Sequence, residues 1–258
     1  MTTYPWQLIH PIDAVIFDCD ATLSQIEGIN VLAEINGVKE AVHLLTEEAM
    51  DKTGITREIY KKRLDLVRPN STQLSGLGKH YYDHVTPDVD HVIHIFQRLN
   101  KTVYVISAGI QKAVVDFAAQ LNIPSPNIFA VDIYFDKNGE YADYDHESPM
   151  ARQGGKREVI QHLKSKHKHI LHIGDGMNDV EAADVVTRFV GYGGAYFREH
   201  IASLCDFYIK SRSVTPVLPL TLTAVEVSTL TGAAKKYYEN GLHRMQRGEV
   251  MINGAIDA

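Results

Sequence analysis

The stretch IDAVIFDCDATLS, residues 12–24, decides the fold. Ile12, Ala14, Val15, Ile16 and Phe17 make a short apolar run rich in β-branched side chains, broken only by Asp13. A run of this kind fits a central strand of a parallel sheet covered on both faces. It ends in two carboxylates, Asp18 and Asp20, which strand alternation places on one side, with Cys19 on the other. Two anions there repel each other and lose hydration unless a cation or the counter-groups of an anionic substrate compensate. The rest of the chain has to supply that compensation.

Working outward, strand-like runs alternate with helix-like stretches. KTVYVIS (101–107), KHILHIGD (168–175), RFVGYG (188–193) and DFYIK (206–210) read as strands, while 110–122 and 156–164 carry apolar residues at helical spacing. This alternation predicts an α/β fold with a doubly wound parallel sheet. FDKNGEY (135–141) has Asn-Gly between β-prone flanks, a hairpin signal. Residues 24–85 break the rhythm with a succession of helical patterns, the first stopped by Gly37. We therefore expect a core from 1–23 and 86–213, an inserted helical cap over 24–85, and a C-terminal helical extension over 214–258. In open α/β sheets ligands bind outside the carboxyl ends of the strands, so the cap lies above that edge. In the tail, TAVE (223–226) fits a capping box, and two readings stand for this extension: a contact in a homodimer, or a cover for the core.

Composition narrows the function classes. The chain has 258 residues, 45% apolar and 22% charged, with a net charge of −6. That is ordinary for a globular protein, and without a basic stripe it argues against nucleic acid as a partner. No apolar run reaches the roughly 18 residues of a membrane span, and the N-terminus lacks a signal pattern. Cys19 and Cys205 stand far apart and offer no disulfide framework; the expected location is the cytoplasm.

Four features fall at or just after strand ends: Asp18 with Asp20, Ser107 in VISAG, Lys156 in GGKREVI, and Asp175 with Asp179 in IGDGMNDVEAA. Carboxylates converging at one sheet edge make a hard, all-oxygen site suited to Mg²⁺. A lysine and a serine hydroxyl add donors for a phosphoryl group, whose transfer needs positioning and charge neutralisation. One Asp can attack as a nucleophile, and a second, protonated, can give its proton to the leaving alkoxide. Cys19 reads as a small buried hydrophobe.

DCDAT, the Ser of VISAG, GGK and GDGMND resemble, in order, the four motifs of the haloacid dehalogenase superfamily of phosphatases. From about Phe17 to Lys210 the chain is most similar to the phosphoserine phosphatase branch, through FDCDATLSQIEGIN, VTPDVD and GYGGAYFREHI among others. The resemblance implies a Rossmann-like core with a small helical cap and a Mg²⁺-dependent phosphomonoesterase. Its substrate would be a small phosphate ester, L-phosphoserine foremost, hydrolysed through an aspartyl-phosphate in serine biosynthesis. Carried over by position, Asp18 is implied as nucleophile and metal ligand. Asp20 is implied as general acid/base with its backbone carbonyl on the metal, and Thr22 as a support of that loop. Ser107, Lys156 and the Gly109 backbone fall at the phosphoryl oxygens, Asp175 on the metal, Asp179 at its water shell, and Asn178 near the substrate. In the cap, Glu27 falls where the family meets the substrate ammonium, Met50 at an apolar wall, and Arg63 where a guanidinium fork grips the substrate carboxylate.

The chain departs from the family pattern at Thr56, where a Phe is usual, at Lys52, where a Gly is usual, and at Ala108 in the second motif. These positions touch the pocket rather than the chemistry, and Ile55 is a candidate to fill the place of the Phe. The alternative reading keeps the chemistry and changes the ester: a phosphatase or phosphotransferase acting on phosphoethanolamine, phosphocholine or phosphohomoserine.

Overall fold

The structure is a computed structural model and describes residues 4–49 and 54–253. Met50 and Lys52 lie outside the described residues. Strand β1 (Ala14–Phe17) is followed by a tight turn at Cys19–Leu23 and then by helices α1 (Gly28–Ile35), α2 (Lys39–Glu48), α3 (Arg57–Val67) and α4 (Ser71–Asp83). The chain continues through α5 (Val89–Arg98), β2 (Thr102–Ile110), α6 (Gln111–Gln120), β3 (Ile128–Val131), and the hairpin β4 (Ile133–Phe135) and β5 (Tyr141–Tyr144). Next come α7 (Gly155–Leu163), β6 (Ile170–Gly174), α8 (Met177–Val180), β7 (Arg188–Tyr192), α9 (Glu199–Leu204) and β8 (Phe207–Ile209). The tail holds α10 (Val217–Thr221), α11 (Ala224–Thr229), α12 (Gly232–Gln246) and β9 (Val250–Ile252).

The main sheet has the order β3-β2-β1-β6-β7-β8-β9, parallel except for the last pair. β1 sits between β2 and β6 and is buried on both faces. Val15 and Phe17 pack into one layer with α5 and α6, and Ala14 and Ile16 into the other with α7. Successive strands run outward from β1 in opposite directions, so the crevice between β1 and β6 is the topological switch point where such sheets bind ligands.

Two local readings change, and one strand is added. β1 stops at Phe17, so Asp18 and Asp20 share a side through the turn at Cys19–Leu23 and not through the pleat. β3 had no expectation of its own. The tail is not all helix: β9 pairs antiparallel with β8 and closes that edge of the sheet, while α12 packs on α10 and α5. A three-residue strand, VMI, carries too little alternation to read from sequence. The tail residues Val217, Leu218, Leu220 and Tyr238 belong to the main core, so the extension covers it. The capping box at Thr223 and Glu226 is formed. Among the described residues no helix is long and apolar enough to cross a membrane.

Candidate active site

At the carboxyl ends of β1 and β6 the chain concentrates buried charge. The Asp18 amide donates to the Ile173 carbonyl at 2.9 Å, which sets the turn against β6. Asp18 Oδ1 accepts from the Cys19 amide at 2.6 Å, and Oδ2 lies 2.7 Å from Lys156 Nζ. The same Nζ lies 2.7 Å from Asp179 Oδ1, which also has His172 Nε2 at 2.9 Å. Asp18, Asp175 and Asp179 each bring a carboxylate oxygen to within 4.8 Å of the others, all three buried. Among the described residues neither oxygen of Asp175 has a hydrogen-bond partner, although Arg198 Nε stands 3.6 Å from Oδ2. A buried carboxylate without donors, in an all-oxygen cluster, fits a hard divalent cation.

The electrostatics agree. Burial raises Asp18 well above the usual carboxylate range, and the Asp179, Asp175 and Asp20 charges add to it against Lys156. Burial likewise lifts Asp175 to about 7, with Arg198 opposing. Burial presses Asp179 upward too, but Lys156 and His172 hold it at about 2. Burial would lower Lys156, yet the Asp179 and Asp18 carboxylates raise it above its ordinary value. A cation held among these carboxylates would offset their charge.

This arrangement has a consequence for stability. Between its ordinary value of 3.8 and about 7, the folded state holds the Asp175 proton more tightly than the unfolded state does. Stability of the chelated chain is therefore present at low pH and lost as pH rises through about 7. Asp179 acts oppositely, but only below 3.8. Thermal unfolding in chelator is expected to give a lower Tm at pH 7.5 than at pH 5.5, and saturating Mg²⁺ to flatten or reverse that slope. A chelated Tm that rises over this interval would contradict the reading.

Above the carboxylates, Ser107 Oγ accepts from the Gly109 amide at 2.9 Å and lies 3.3 Å from Asp20 Oδ2. A Cβ at position 109 would stand 2.9 Å from Asp20 Oδ2, so this close approach needs glycine. Lys156 enters from the first turn of α7. Asp20 stands beside the three-carboxylate cluster without joining it: its Oδ1 accepts from the Gly28 amide at 2.6 Å and from the Tyr81 hydroxyl at 2.7 Å. Thr22 ties the turn down through its carbonyl, which accepts from Thr86 Oγ1 at 2.7 Å.

The cap closes the site. Glu27 precedes α1 and is buried, and its Oε1 has no hydrogen-bond partner among the described residues. Burial first, then the Asp20 and Asp175 charges, raise Glu27 against Arg198 and Arg63. Arg63, on α3 and 4% exposed, donates to Thr46 Oγ1 at 3.4 Å and holds its guanidinium 5.7 Å over the Tyr60 ring, with Nε unpartnered among the described residues. Glu27, Arg63, Ile55, Ser107, Lys156 and Asn178 share one cavity of about 30 Å³. Ile55, not Thr56, faces that cavity; the Thr56 hydroxyl caps α3 by accepting from the Ile59 amide at 3.2 Å. Asn178 Oδ1 accepts from the Ile55 amide at 2.7 Å, and Arg198 donates to Glu47 Oε2 at 3.2 Å, two contacts that bind cap to core.

Sequence reasoning missed Arg198, His172 and Tyr81. Arg198 follows β7 at the same sheet edge, inside the quoted GYGGAYFREHI, and that placement was a usable signal. His172 is a strand-interior histidine and Tyr81 a helix aromatic, both of which read as core from sequence.

The haloacid dehalogenase-like hydrolase family model matches residues 12–186. The chain is 39% identical over 199 residues to phosphoserine phosphatase of Bos taurus, covering 76% of this chain and 88% of that one. It is 38% identical over 205 residues to phosphoserine phosphatase of Homo sapiens, covering 79% and 91%. A phosphoserine phosphohydrolase-like protein from Francisella tularensis superposes with a TM-score of 0.74 at 23% identity, over 82% of this chain and all of that one, and shares the fold. With the motif residues gathered at one sheet edge under a helical cap, the chain belongs to the haloacid dehalogenase-like hydrolases, among the phosphoserine phosphatase-like members.

Proposed function

We propose that this chain is a Mg²⁺-dependent phosphomonoesterase that hydrolyses O-phospho-L-serine to L-serine and phosphate, in serine biosynthesis. One observation carries the substrate. Two buried groups of opposite charge, Glu27 and Arg63, line a cavity with Lys156 and Ser107, and both retain buried polar atoms without partners among the described residues. An α-amino acid bearing a phosphate satisfies them together, its ammonium at Glu27 and its carboxylate on the Arg63 fork.

In this reading Asp18 attacks phosphorus, forming an Asp18–phosphoryl bond as the bond to the serine oxygen breaks. Asp20 hands its proton to that oxygen, then takes one from the water that attacks phosphorus and frees Asp18. Lys156, Ser107 and the Gly109 amide hold the transferring phosphoryl oxygens. Asp18, Asp175 and the Asp20 backbone carbonyl would hold the cation, with Asp179, clustered beside them, at its water shell; when bound it would offset the clustered negative charge and polarise the phosphoryl group. In this reading substrate enters the cavity by parting the cap contacts Asn178–Ile55 and Arg198–Glu47.

The experiment is phosphate release, with Mg²⁺ and with chelator, from L-phosphoserine, D-phosphoserine, phosphothreonine, phosphoethanolamine and an aryl phosphate. We expect kcat/KM for L-phosphoserine to stand well above the rest. A flat profile, or a preference for phosphoethanolamine, removes phosphoserine and leaves the other small esters. Arg63→Ala refines the test. Losing a buried charged hydrogen bond to the substrate is expected to raise KM for L-phosphoserine by about 10²-fold and to move the aryl phosphate little. Equal losses on both would take Arg63 out of carboxylate recognition.

A further inference from the structure

The mechanism uses one oxygen of Asp20, and the structure holds the other. Oδ1 receives two donors, the Gly28 amide at 2.6 Å and the Tyr81 hydroxyl at 2.7 Å. Oδ2 has a single, longer donor, Ser107 Oγ at 3.3 Å, and lies close to Gly109, the side on which the phosphoryl group would be held. We infer that Tyr81 is a positioning residue for catalysis: its phenol locks the Asp20 carboxyl so that Oδ2 carries the proton delivered to the leaving oxygen. The inference rests on the reading of Asp20 as general acid.

The chemistry follows from donor counting. A carboxyl group can carry its proton on either oxygen and can rotate about its Cβ–Cγ bond. An oxygen already accepting two short hydrogen bonds has no room for a proton, so the proton falls on its twin. With the phenol removed, Oδ1 keeps one donor, and the two protonation isomers become closer in energy. A positioned acid contributes about 10²–10⁴-fold, and losing orientation forfeits part of that.

Three features mark the contact as built. Tyr81 is 1% exposed and its ring stacks on Phe117, with centroids 5.5 Å apart. Its carbonyl accepts from Ser24 Oγ at 2.8 Å, which joins α4 to the turn that carries Asp20. A Cβ at position 28 would stand 2.0 Å from the phenol oxygen, so the chain keeps a glycine at the start of α1 where the hydroxyl needs the space. Burial first, then Asp20, raise the phenol well above its ordinary value, so it stays a donor at any working pH.

Leaving-group dependence is the readout that a merely structural role would not move. kcat/KM reports steps up to departure of the leaving group. A serine alkoxide needs the proton from Asp20, whereas p-nitrophenolate departs without one. Tyr81→Phe keeps the ring on Phe117 and removes only the hydroxyl. We expect kcat/KM for L-phosphoserine to fall about 10–100-fold, chiefly through kcat, and that for p-nitrophenyl phosphate to change less than about threefold. Asp20→Asn, run alongside, should show the same bias more strongly. If Asp20→Asn shows the bias and Tyr81→Phe loses equally on both substrates or on neither, the inference fails and the acid reading stands. If Asp20→Asn shows no bias, the acid reading fails and takes the inference with it. Should Tyr81→Phe not fold, Gly28→Ala, whose methyl displaces the phenol, carries the same test with the same two outcomes.

Discussion

Asp18→Asn is expected to lower phosphate release by at least about 10⁴-fold while the chain stays folded. The magnitude is that of removing a nucleophile whose partners cannot substitute for it. An amide oxygen is a poor nucleophile toward phosphorus, and no other carboxylate occupies its place after β1. The fold should tolerate the change for a specific reason. The Cys19 amide still finds an acceptor in the amide oxygen, so the turn at Cys19–Leu23 keeps its tie. The contact with Lys156 at 2.7 Å is weakened, but one anion is withdrawn from a buried cluster in which Asp175 and Asp179 remain. These changes oppose each other, and we expect the chelated Tm to move by no more than a few degrees. Circular dichroism with a phosphate-release assay checks both halves. Substantial turnover by a folded variant would remove Asp18 as the attacking group.

Lys156→Met is the second large effect, and it acts on stability as well as rate. Lys156 is the shared cation of two buried carboxylates, at 2.7 Å from Asp18 Oδ2 and 2.7 Å from Asp179 Oδ1. Taking one partner from a buried ion pair costs about 3–5 kcal/mol, because the remaining charges are left uncompensated. For a chain of this size that corresponds to a fall in Tm of roughly 10 °C in chelator. Saturating Mg²⁺ should restore part of the loss, since the cation supplies positive charge to the same oxygens. Phosphate release is expected to fall about 10²–10³-fold even with the metal, the range for losing a donor aimed at developing charge. Thermal unfolding with and without Mg²⁺ separates the two effects. An unchanged Tm in chelator would mean that Lys156 does not balance the cluster.

How much of this was legible beforehand differs from residue to residue. Asp18, Ser107, Lys156 and Asp175 could be read because their residue types are improbable beside buried strands, and the β–α order brings strand ends to one edge. The burial of β1 on both faces followed from its apolar run. Two errors have a common cause, the short range over which periodicity speaks. The alternation that put Asp18 and Asp20 on one face belonged to a strand that had already ended at Phe17. β3 and β9, of four and three residues, are too short to separate from loop or helix by pattern. The pocket wall was ambiguous by a single residue: Thr56 stands in the slot of the usual Phe, yet it caps α3, and Ile55 faces the cavity.

Tyr81 was illegible for a different reason, and Arg198 gave no signal beyond its place after β7. Each meets the site only through tertiary return of the chain: α4 brings Tyr81 back to Asp20, and the segment after β7 brings Arg198 to Asp175 and to Glu47 at the end of α2. Neither sequence spacing nor residue type announces such a contact. A buried tyrosine reads as core, and an arginine after a strand as solvated.

The central claim is that Asp18 becomes covalently phosphorylated. The most direct measurement is an acid quench of the full chain during turnover of L-phosphoserine with Mg²⁺, followed by borohydride reduction and peptide mass spectrometry. An acyl phosphate on an aspartate reduces to homoserine, whereas a free carboxylate does not. The expected result is homoserine at position 18 in the substrate-treated chain, absent without substrate and absent at positions 20, 175 and 179. Reduction at one of those positions instead, or an unmodified residue 18 in a sample caught while turning over, would contradict the account.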